Sequence, residues 1–279
     1  MFQRPEKTYS FNPALIDGIL RDNANPLNRI VEIIPENSRV LDIGAGSGIL
    51  ALLLRKQKSR VWLCGIEPNT SAAELARPNY DVFHIGFAQS FENEISSGDF
   101  DFIVLADVLE HLNDPLEFLQ WLNRIIGEQT KFILSVPNIA FGSVRLSLLN
   151  GSFNYVDSGI LERTHLRFFT LSTLSELIEK SGLHIEDLSF LCRDFLSTEA
   201  ITSGHLAFFS YLKLLRDPLA STYQFLLMVQ KMPCRTTTRF YGDQTSFSLL
   251  AYLKSMRGAL SLLRKIRGVH SLETTNTHD

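Results

Sequence analysis

The stretch Arg39-Val-Leu-Asp-Ile-Gly-Ala-Gly-Ser-Gly-Ile-Leu50 joins a short apolar run to a helical run through three closely spaced glycines. The apolar run from Arg39 to Ile43 predicts a buried strand, and the run from Ile49 to Arg55 predicts a helix. Glycine allows close approach and positive φ angles, and the start of a helix presents backbone N–H groups that have no partner in the helix. The stretch therefore predicts a strand–turn–helix unit that holds a ligand at its turn.

The alternation of strand and helix continues along the chain. Further strands are predicted at 61–67, 81–85, 100–106, 131–136, 184–191 and 223–230, and helices at 25–34, 71–76, 116–126 and 173–180. Apolar strands that alternate with helices predict a mostly parallel sheet that is covered on both faces. We therefore expect an α/β fold, a Rossmann-like and mostly parallel sheet of seven strands, with a helical elaboration at the C-terminus.

The spacing of the glycines separates two classes of ligand. A dinucleotide-binding turn has the pattern G-x-G-x-x-G, whereas the glycines here stand at 44, 46 and 48 and position 49 is an isoleucine. Asp42 adds a carboxylate just before the turn, which would repel a diphosphate and attract a cationic amino-acid group. The turn is therefore predicted to bind a cationic, amino-acid-like ligand in preference to NAD.

The run Val40-Leu-Asp-Ile-Gly-Ala-Gly-Ser-Gly48 resembles motif I of the class I S-adenosylmethionine-dependent methyltransferases. The resemblance implies that the turn passes under the methionyl part of the cofactor and that Asp42 helps to fix the cofactor's amino group. The turn residues assigned to the cofactor in this way are Gly44, Ala45, Gly46 and Gly48.

The resemblance extends to the adenosine part of the cofactor. It implies that Glu67, at the end of the second predicted strand, binds the ribose hydroxyls and that Pro68 contacts the adenine. After the third strand the family usually has Gly-Asp, whereas this sequence has Gly86-Phe87-Ala88. The acid that would receive the adenine amino group is therefore missing. Phe87 and Ala88 are expected at the adenine, with the backbone N–H of Ala88 as a donor.

A group of ionisable residues follows the fourth predicted strand, in Leu105-Ala-Asp-Val-Leu-Glu-His-Leu112. We expect Asp107, Glu110 and His111 to cluster at helical spacing, with Asp107 and Glu110 on one face. Such sheets bind ligands outside the carboxyl ends of their strands, so Asp107 is expected at the cofactor. The run Asp-Val-Leu-Glu-His resembles a methyltransferase subgroup that includes ubiquinone-biosynthesis O-methyltransferases and methyltransferases found beside bacterial glycosyltransferases.

The run Thr164-His-Leu-Arg-Phe-Phe-Thr170 resembles the same bacterial subgroup and adds His165. Three interpretations are open. In the first, His111 or His165 is a general base for a hydroxyl, because a neutral imidazole suits that task near pH 7. In the second, Glu110 and both histidines, with or without Asp107, bind a divalent metal ion, which lowers the pKa of the hydroxyl. The small-RNA 3′-terminal 2′-O-methyltransferases resemble this arrangement. In the third, Glu110 caps backbone N–H groups and His165 bonds a carbonyl.

Two segments, 137–170 and 193–221, interrupt the alternation and are predicted insertions near the acceptor. Polar residues in the first are candidates to hold a hydroxylated or anionic acceptor: Arg145, Asn150, Tyr155, Arg163 and Arg167. We expect the methyltransferase domain to span 1–232 and an appendage to span 233–279. The appendage contains a basic amphipathic run, 247–268, that would pack on its own domain or a second subunit, or contact an anionic membrane.

Composition is typical of a soluble globular protein. Apolar residues make up 45% of the chain and charged residues 20%, and the net charge is −3, which does not favour nucleic acid as a partner. Cys64, Cys192 and Cys234 are far apart and have no metal-ligand spacing. Together with the absence of an apolar leader after Met1, they favour reduced thiols and a cytoplasmic protein.

The predicted function is methyl transfer from S-adenosylmethionine to an oxygen of a saccharide or another small hydroxylated molecule. The alternatives within the same chemistry are a quinone-precursor or an RNA-terminal O-methyltransferase. The alternatives from other classes are a nicotinamide-dependent oxidoreductase, which Asp42 and Ile49 disfavour, and a non-catalytic Rossmann-like binding protein.

Overall fold

The computed structural model describes residues 13–195 and 213–231. Its strands are β1 (Arg39–Ile43), β2 (Trp62–Glu67), β3 (Val82–Ile85), β4 (Phe102–Ala106), β5 (Lys131–Pro137), β6 (Leu183–Cys192) and β7 (Thr222–Lys231). Its α-helices are α1 (Pro13–Arg21), α2 (Pro26–Ile33), α3 (Ile49–Gln57), α4 (Thr70–Ala76), α5 (Glu92–Ser97), α6 (Pro115–Ile125), α7 (Gly142–Leu149) and α8 (Leu171–Lys180).

The seven strands form one sheet in the order β3-β2-β1-β4-β5-β7-β6. Neighbours from β3 to β5 pair in parallel, and β7 pairs antiparallel with both β5 and β6. The chain leaves β1 toward β2 on one side and returns to β4 on the other. The carboxyl ends of β1 and β4 therefore frame the switch point at which open α/β sheets bind ligands.

Two apolar cores cover the two faces of the sheet. Successive residues of β1 show the division, because Val40 packs with α2 and α3 whereas Leu41 packs with α6 and α8, and both are fully buried. In β4, Val104 packs in the same core as Val40, and Leu105 packs in the same core as Leu41. Burial of adjacent residues on opposite faces explains why the central strands are continuous apolar runs.

Local sequence fixes where several helices begin. The Asp114 side chain accepts a hydrogen bond of 2.9 Å from the backbone N–H of Glu117, and Pro115 occupies the first turn of α6. The Asn25 side chain accepts one of 3.0 Å from the N–H of Leu27 at the start of α2. Both starts satisfy N–H groups that a helix leaves without partners.

The fold class and its seven strands were predicted correctly, whereas α1, α5 and α7 were not predicted. The last of these lies inside the predicted insertion 137–170. The segment 196–212 of the second predicted insertion and the whole appendage, 233–279, lie outside the described residues, as does the basic run 247–268. Within the described ranges, no helix has both the length and the apolar character that crossing a bilayer requires.

Candidate functional site

The turn between β1 and α3 is held in a left-handed conformation by its glycines. The φ angles of Gly44, Gly46 and Gly48 are 78°, 54° and 79°. The backbone N–H groups of Gly44 and Ala45 both donate to the carbonyl of Ile66 in β2, at 2.9 and 3.1 Å. The turn is therefore attached to the end of the neighbouring strand, at the carboxyl edge of β1 and β2.

Two of these glycines also leave no room for a side chain. A Cβ atom at Gly44 would lie 2.7 Å from Cγ2 of Val108, which follows β4. A Cβ atom at Gly48 would lie 2.8 Å from the Cα atom of Ala76, at the end of α4. The turn thus contacts both the loop after β4 and the helix after β2, and glycine is required at these positions for packing as well as for backbone angle.

A buried carboxylate, Asp42, lies in β1 just before the turn. The Tyr80 hydroxyl donates a hydrogen bond of 2.5 Å to Oδ2 of Asp42. Burial raises the pKa of Asp42 to about 7, a shift that the Tyr80 bond counteracts and the nearby Glu67 charge increases. Tyr80 reaches Asp42 across Gly65, where a Cβ atom would lie 2.9 Å from the Tyr80 ring. Tyr80 was not among the residues predicted from the sequence.

A second buried carboxylate, Glu67, ends β2 and holds the turn directly. Its Oε2 atom accepts a hydrogen bond of 2.9 Å from the N–H of Gly46, and its Oε1 atom accepts one of 2.8 Å from the N–H of Asn69. Only 5% of Glu67 is exposed. The structure therefore brings Asp42, Glu67 and the glycine turn together, and their roles at a cofactor stay predictions.

The residues predicted at the adenine surround the ends of β2 and β3. Pro68 is exposed, and Phe87 is 71% exposed, an unusually large open surface for a phenylalanine. Ala88 is buried and begins a 3-10 helix, Ala88–Phe91. An exposed proline and an exposed aromatic ring near the ends of adjacent strands offer apolar surface to a flat ring.

The chain leaves β4 through a strained residue, and here the prediction of helical spacing was wrong. Asp107 has a φ of 55°, which non-glycine residues rarely adopt, and only Leu109–His111 forms a short 3-10 helix. Asp107 and Glu110 therefore do not share a helix face. The reason is tertiary, because the Asp107 N–H donates to the carbonyl of Ser135 in β5 at 3.1 Å and so continues the sheet.

The Asp107 carboxylate is held by the two neighbouring strands. Its Oδ1 atom accepts a hydrogen bond of 3.1 Å from the Ser135 hydroxyl and a short one from the Gln224 side chain in β7. Gln224 also donates to the Ser135 hydroxyl at 2.6 Å and is 4% exposed. These contacts fix an exposed carboxylate on the loop that borders the glycine turn. Gln224 was not among the residues predicted from the sequence.

Glu110, His111 and His165 come together, although His111 and His165 are 54 positions apart in the chain. One ligand atom from each lies within 4.8 Å of the others. His165 Nε2 is 4.0 Å from Glu110 Oε1, and the two imidazole rings meet edge to face at 4.8 Å between centroids. Glu110 and His165 are buried and His111 is half-buried. We call this group the His–Glu cluster.

Backbone carbonyls define the chemistry of both imidazoles. Nδ1 of His111 lies 3.2 Å from the carbonyl oxygen of Thr164, and Nδ1 of His165 lies 2.8 Å from that of Ile160. A carbonyl only accepts hydrogen bonds, so these contacts favour the tautomer with the proton on Nδ1 and the lone pair on Nε2. Each histidine can then take up a proton or bind a cation through Nε2.

The loop that carries His165 is fixed to the cluster through its backbone. The carbonyl oxygen of Glu110 accepts hydrogen bonds from the N–H groups of Leu166 and Arg167, at 2.7 and 3.0 Å. Because Val108 contacts the glycine turn and Glu110 follows two residues later, the cluster lies on the loop that borders the turn. The arrangement can activate a hydroxyl beside a ligand of the turn.

Comparison with known proteins places these features in a family. Residues 17–188 match the family model described as a methyltransferase domain. A "probable S-adenosylmethionine-dependent methyltransferase" of Mycolicibacterium smegmatis is 30% identical over 150 residues, 53% of this chain and 52% of that protein. A ubiquinone biosynthesis O-methyltransferase of Coxiella burnetii is 24% identical over 191 residues, 64% of this chain and 80% of that protein. The matched part of this chain thus spans about half the length of the first relative and most of the second.

Solved structures share the fold. A methyltransferase dependent on S-adenosylmethionine from Archaeoglobus fulgidus aligns with a TM-score of 0.56 at 17% identity, over 79% of this chain and 95% of that one. One from Thermotoga maritima aligns with a TM-score of 0.52 at 19% identity, over 78% and 94% of the two chains. These likenesses confirm the predicted fold class.

Proposed function

The chain belongs to the methyltransferase domain family of class I S-adenosylmethionine-dependent proteins, and from that premise we propose that it methylates a hydroxyl oxygen of a small molecule. The match to the family model covers residues 17–188 and includes the glycine turn and the His–Glu cluster. The proposed donor is S-adenosylmethionine and the proposed acceptor is a saccharide or a similar small hydroxylated molecule.

One observation carries the choice of cofactor, namely the buried carboxylate of Asp42 just before the turn. Asp42 is 4% exposed. It would repel a pyrophosphate and attract the ammonium group of S-adenosylmethionine, whereas an acid at the position of Glu67 binds ribose hydroxyls in either class of cofactor. This charge pattern favours a methyltransferase over a nicotinamide-dependent oxidoreductase.

In the proposed complex the turn supports the methionyl part of the cofactor. The backbone of Gly44, Ala45, Gly46 and Gly48 lies under the methionyl chain, and Asp42 attracts its ammonium group. Glu67 accepts hydrogen bonds from the ribose hydroxyls in addition to holding the Gly46 N–H, since each carboxylate oxygen accepts two.

The adenine and the sulfonium end have separate contacts in the proposed complex. Pro68 and the exposed ring of Phe87 offer apolar surface to the adenine, and the backbone N–H of Ala88 donates to it. Asp107 lies at the sulfonium end, fixed by Ser135 and Gln224.

The proposed reaction is an in-line displacement. A lone pair of the acceptor oxygen attacks the methyl carbon, the C–S bond breaks, and its electrons stay on the sulfur, which becomes neutral. The donor is already activated, so the protein supplies proximity and removes the hydroxyl proton. The Nε2 atom of His111 takes that proton, because its Nδ1 faces the Thr164 carbonyl and because His111 is the more accessible histidine of the cluster.

The same three side chains also fit a divalent metal ion. Glu110 Oε1 and the Nε2 atoms of His111 and His165 would hold it, since carboxylate and imidazole are common ligands and both histidines are oriented by carbonyls. Such an ion would lower the pKa of the acceptor hydroxyl and replace His111 as the activating group. Activity that is lost with a chelator and restored by added metal would favour the ion over the base.

The class of acceptor rests on similarity and on charge. The saccharide proposal follows the resemblance of the Asp107–His111 and Thr164–Thr170 runs to methyltransferases found beside bacterial glycosyltransferases. A quinone precursor is the second candidate, because a ubiquinone biosynthesis O-methyltransferase is among the relatives. An RNA terminus is disfavoured by the net charge of −3.

Calorimetry tests the cofactor. We expect S-adenosylmethionine and S-adenosylhomocysteine to bind and NAD not to bind. Preference for NAD would support an oxidoreductase, and binding of none of the three would support a non-catalytic protein.

A second measurement tests the His–Glu cluster. His111→Ala and His165→Ala should lower the transfer of labelled methyl groups by about 10²- to 10⁴-fold, the range for loss of acid–base catalysis. Affinity for S-adenosylhomocysteine should change little, because the cluster contacts the acceptor. Equal losses in affinity and turnover would instead assign the histidines to the cofactor or to the fold.

A further inference from the structure

A row of aromatic side chains leads from the His–Glu cluster to the protein surface. The row begins at His165, whose ring centroid is 6.4 Å from that of Phe168, and continues to Phe153 at 5.7 Å and Tyr155 at 5.5 Å. Successive rings meet edge to face, at 68°, 85° and 86°. We call these four residues the aromatic row.

The row is open at its outer end and closed at its inner end. Phe153 is 38% exposed and Tyr155 is 44% exposed, whereas His165 is 8% exposed. Exposed aromatic surface that adjoins a polar, buried cluster is typical of a ligand site, because ligand pockets combine apolar walls with a few polar groups. Phe168 joins the two ends, since its ring contacts both Phe153 and His165, so a molecule that packs on Phe153 and Phe168 would lie one ring contact from the His–Glu cluster.

The backbone beneath the outer rings is held by hydrogen bonds. The N–H of Ser152 donates to the carbonyl of Ser147 in α7 at 2.8 Å, and the N–H of Val156 donates to that of Leu161 at 3.0 Å. The N–H of Arg163 donates back to the carbonyl of Val156, also at 3.0 Å. The rings are thus presented from a fixed loop, which lowers the entropic cost of binding.

The cations of the same segment are engaged by partners in the protein. Arg145 forms an ion pair of 2.6 Å with Asp217, and Arg163 forms one of 3.1 Å with Asp157. Arg167 donates through its Nε atom to the carbonyl of Asn113 at 3.1 Å. These contacts reduce the attraction for an anionic acceptor and leave the aromatic rings as the main recognition surface.

We propose that Phe153, Tyr155 and Phe168 form a subsite for the methyl acceptor, which binds an uncharged ring that carries a hydroxyl group. The inference rests on the proposed function, because it places that hydroxyl at His111 and His165. Both a saccharide and a phenol present such a ring, with a flat apolar face that packs on aromatic side chains.

Binding to the protein saturated with S-adenosylhomocysteine tests the subsite, with saturation-transfer NMR as the readout. The probes are methyl α-glucopyranoside, a neutral sugar, and catechol, a neutral diphenol, with glucose 6-phosphate as an anionic comparison. We expect one of the neutral probes to bind and the phosphate to bind more weakly. The neutral probe that binds shows whether the ring of the acceptor is a sugar ring or a phenol ring.

Variants of Phe153 and Tyr155 test whether the probe binds at these rings or at any exposed apolar side chain. Phe153→Ala and Tyr155→Ala should each lower the affinity for the probe that binds by roughly three- to tenfold, which is the effect of losing one aromatic contact. Tyr155→Phe should retain binding because it keeps the ring. Val82→Ala on β3 is the matched control, since Val82 is also 38% exposed and lies at the far edge of the sheet.

The outcomes distinguish this inference from the proposed function. If S-adenosylhomocysteine binds but neither neutral probe does, or if the phosphate binds best, the aromatic subsite is wrong and the methyltransferase proposal stands. Equal probe affinity in Phe153→Ala, Tyr155→Ala and the unmodified protein would also overturn it. If S-adenosylhomocysteine itself fails to bind, the proposed function is wrong.

Discussion

Replacement of Gly48 by alanine tests whether the turn needs glycine for space or only for its backbone angle. Gly48 has a φ of 79°, and an added Cβ atom would lie 2.8 Å from the Cα atom of Ala76 and 3.0 Å from its Cβ atom. The left-handed angle costs an alanine about 1–2 kcal/mol. The contact with a helix backbone, which cannot rotate away, adds about 1–3 kcal/mol as overpacking.

Gly151→Ala is the matched control for this substitution. Gly151 has a φ of 71°, and an added Cβ atom would meet nothing within 4 Å. The control therefore carries the cost of the angle without the cost of the contact. We expect Gly48→Ala to be less stable than Gly151→Ala by about 1–3 kcal/mol, a difference in midpoint temperature of roughly 2–12 °C for a domain of this size.

Thermal unfolding followed by circular dichroism measures this difference, and calorimetry with S-adenosylhomocysteine measures its effect on the site. Displacement of the turn from α4 should lower the affinity of Gly48→Ala at least about tenfold, which corresponds to about 1.4 kcal/mol. The affinity of Gly151→Ala should not change. Equal midpoints and equal affinities in the two variants would refute the assignment of Gly48 to a sterically closed turn.

Three further predictions concern the same site. Gly46→Arg should abolish binding of S-adenosylhomocysteine in calorimetry, because the side chain occupies the space proposed for the methionyl group; unchanged affinity would place the cofactor elsewhere. Affinity should rise as the pH increases through about 7, because the raised pKa of Asp42 means that its carboxylate is charged only above that value; Asp42→Asn should remove this step, and a step that persists would assign it to another group. Gln224→Leu should weaken the binding several-fold, since it removes a donor to Asp107; full affinity would show that Asp107 needs no such support.

The sequence predicted those parts of the site that are determined locally. The glycines, Asp42 and Glu67 lie at the ends of adjacent strands, where short apolar runs give way to polar residues, so the pattern predicted the strand ends and the family resemblance assigned these residues to one site. His165 was predicted as a site residue because the Thr164–Thr170 run resembles a methyltransferase subgroup. Its distance of 4.0 Å from Glu110 required the folded loop.

Other parts depend on contacts that no local pattern encodes. Tyr80 bonds Asp42 from 38 positions away, and Gln224 bonds Asp107 from 117 positions away. Asp107 shows how tertiary contacts override a local pattern, because the spacing of residues 107–111 is helical but the Asp107 N–H joins β5 instead. A left-handed residue then turns the chain toward the cluster, and sequence periodicity contains no sign of it.

The position of β7 between β5 and β6 has a consequence for how the protein matures during synthesis. This strand is the last of the seven in the sequence, yet it lies inside the sheet, so β5 has an open edge and β6 has no place to pair until residues 222–231 leave the ribosome. Gln224 belongs to the same strand. A nascent chain that stops before it would have a complete glycine turn, an exposed aggregation-prone edge and no amide to hold Asp107. The pairing of β7 with β5 and β6 therefore completes the sheet and, in the same late step, brings Gln224 to Asp107.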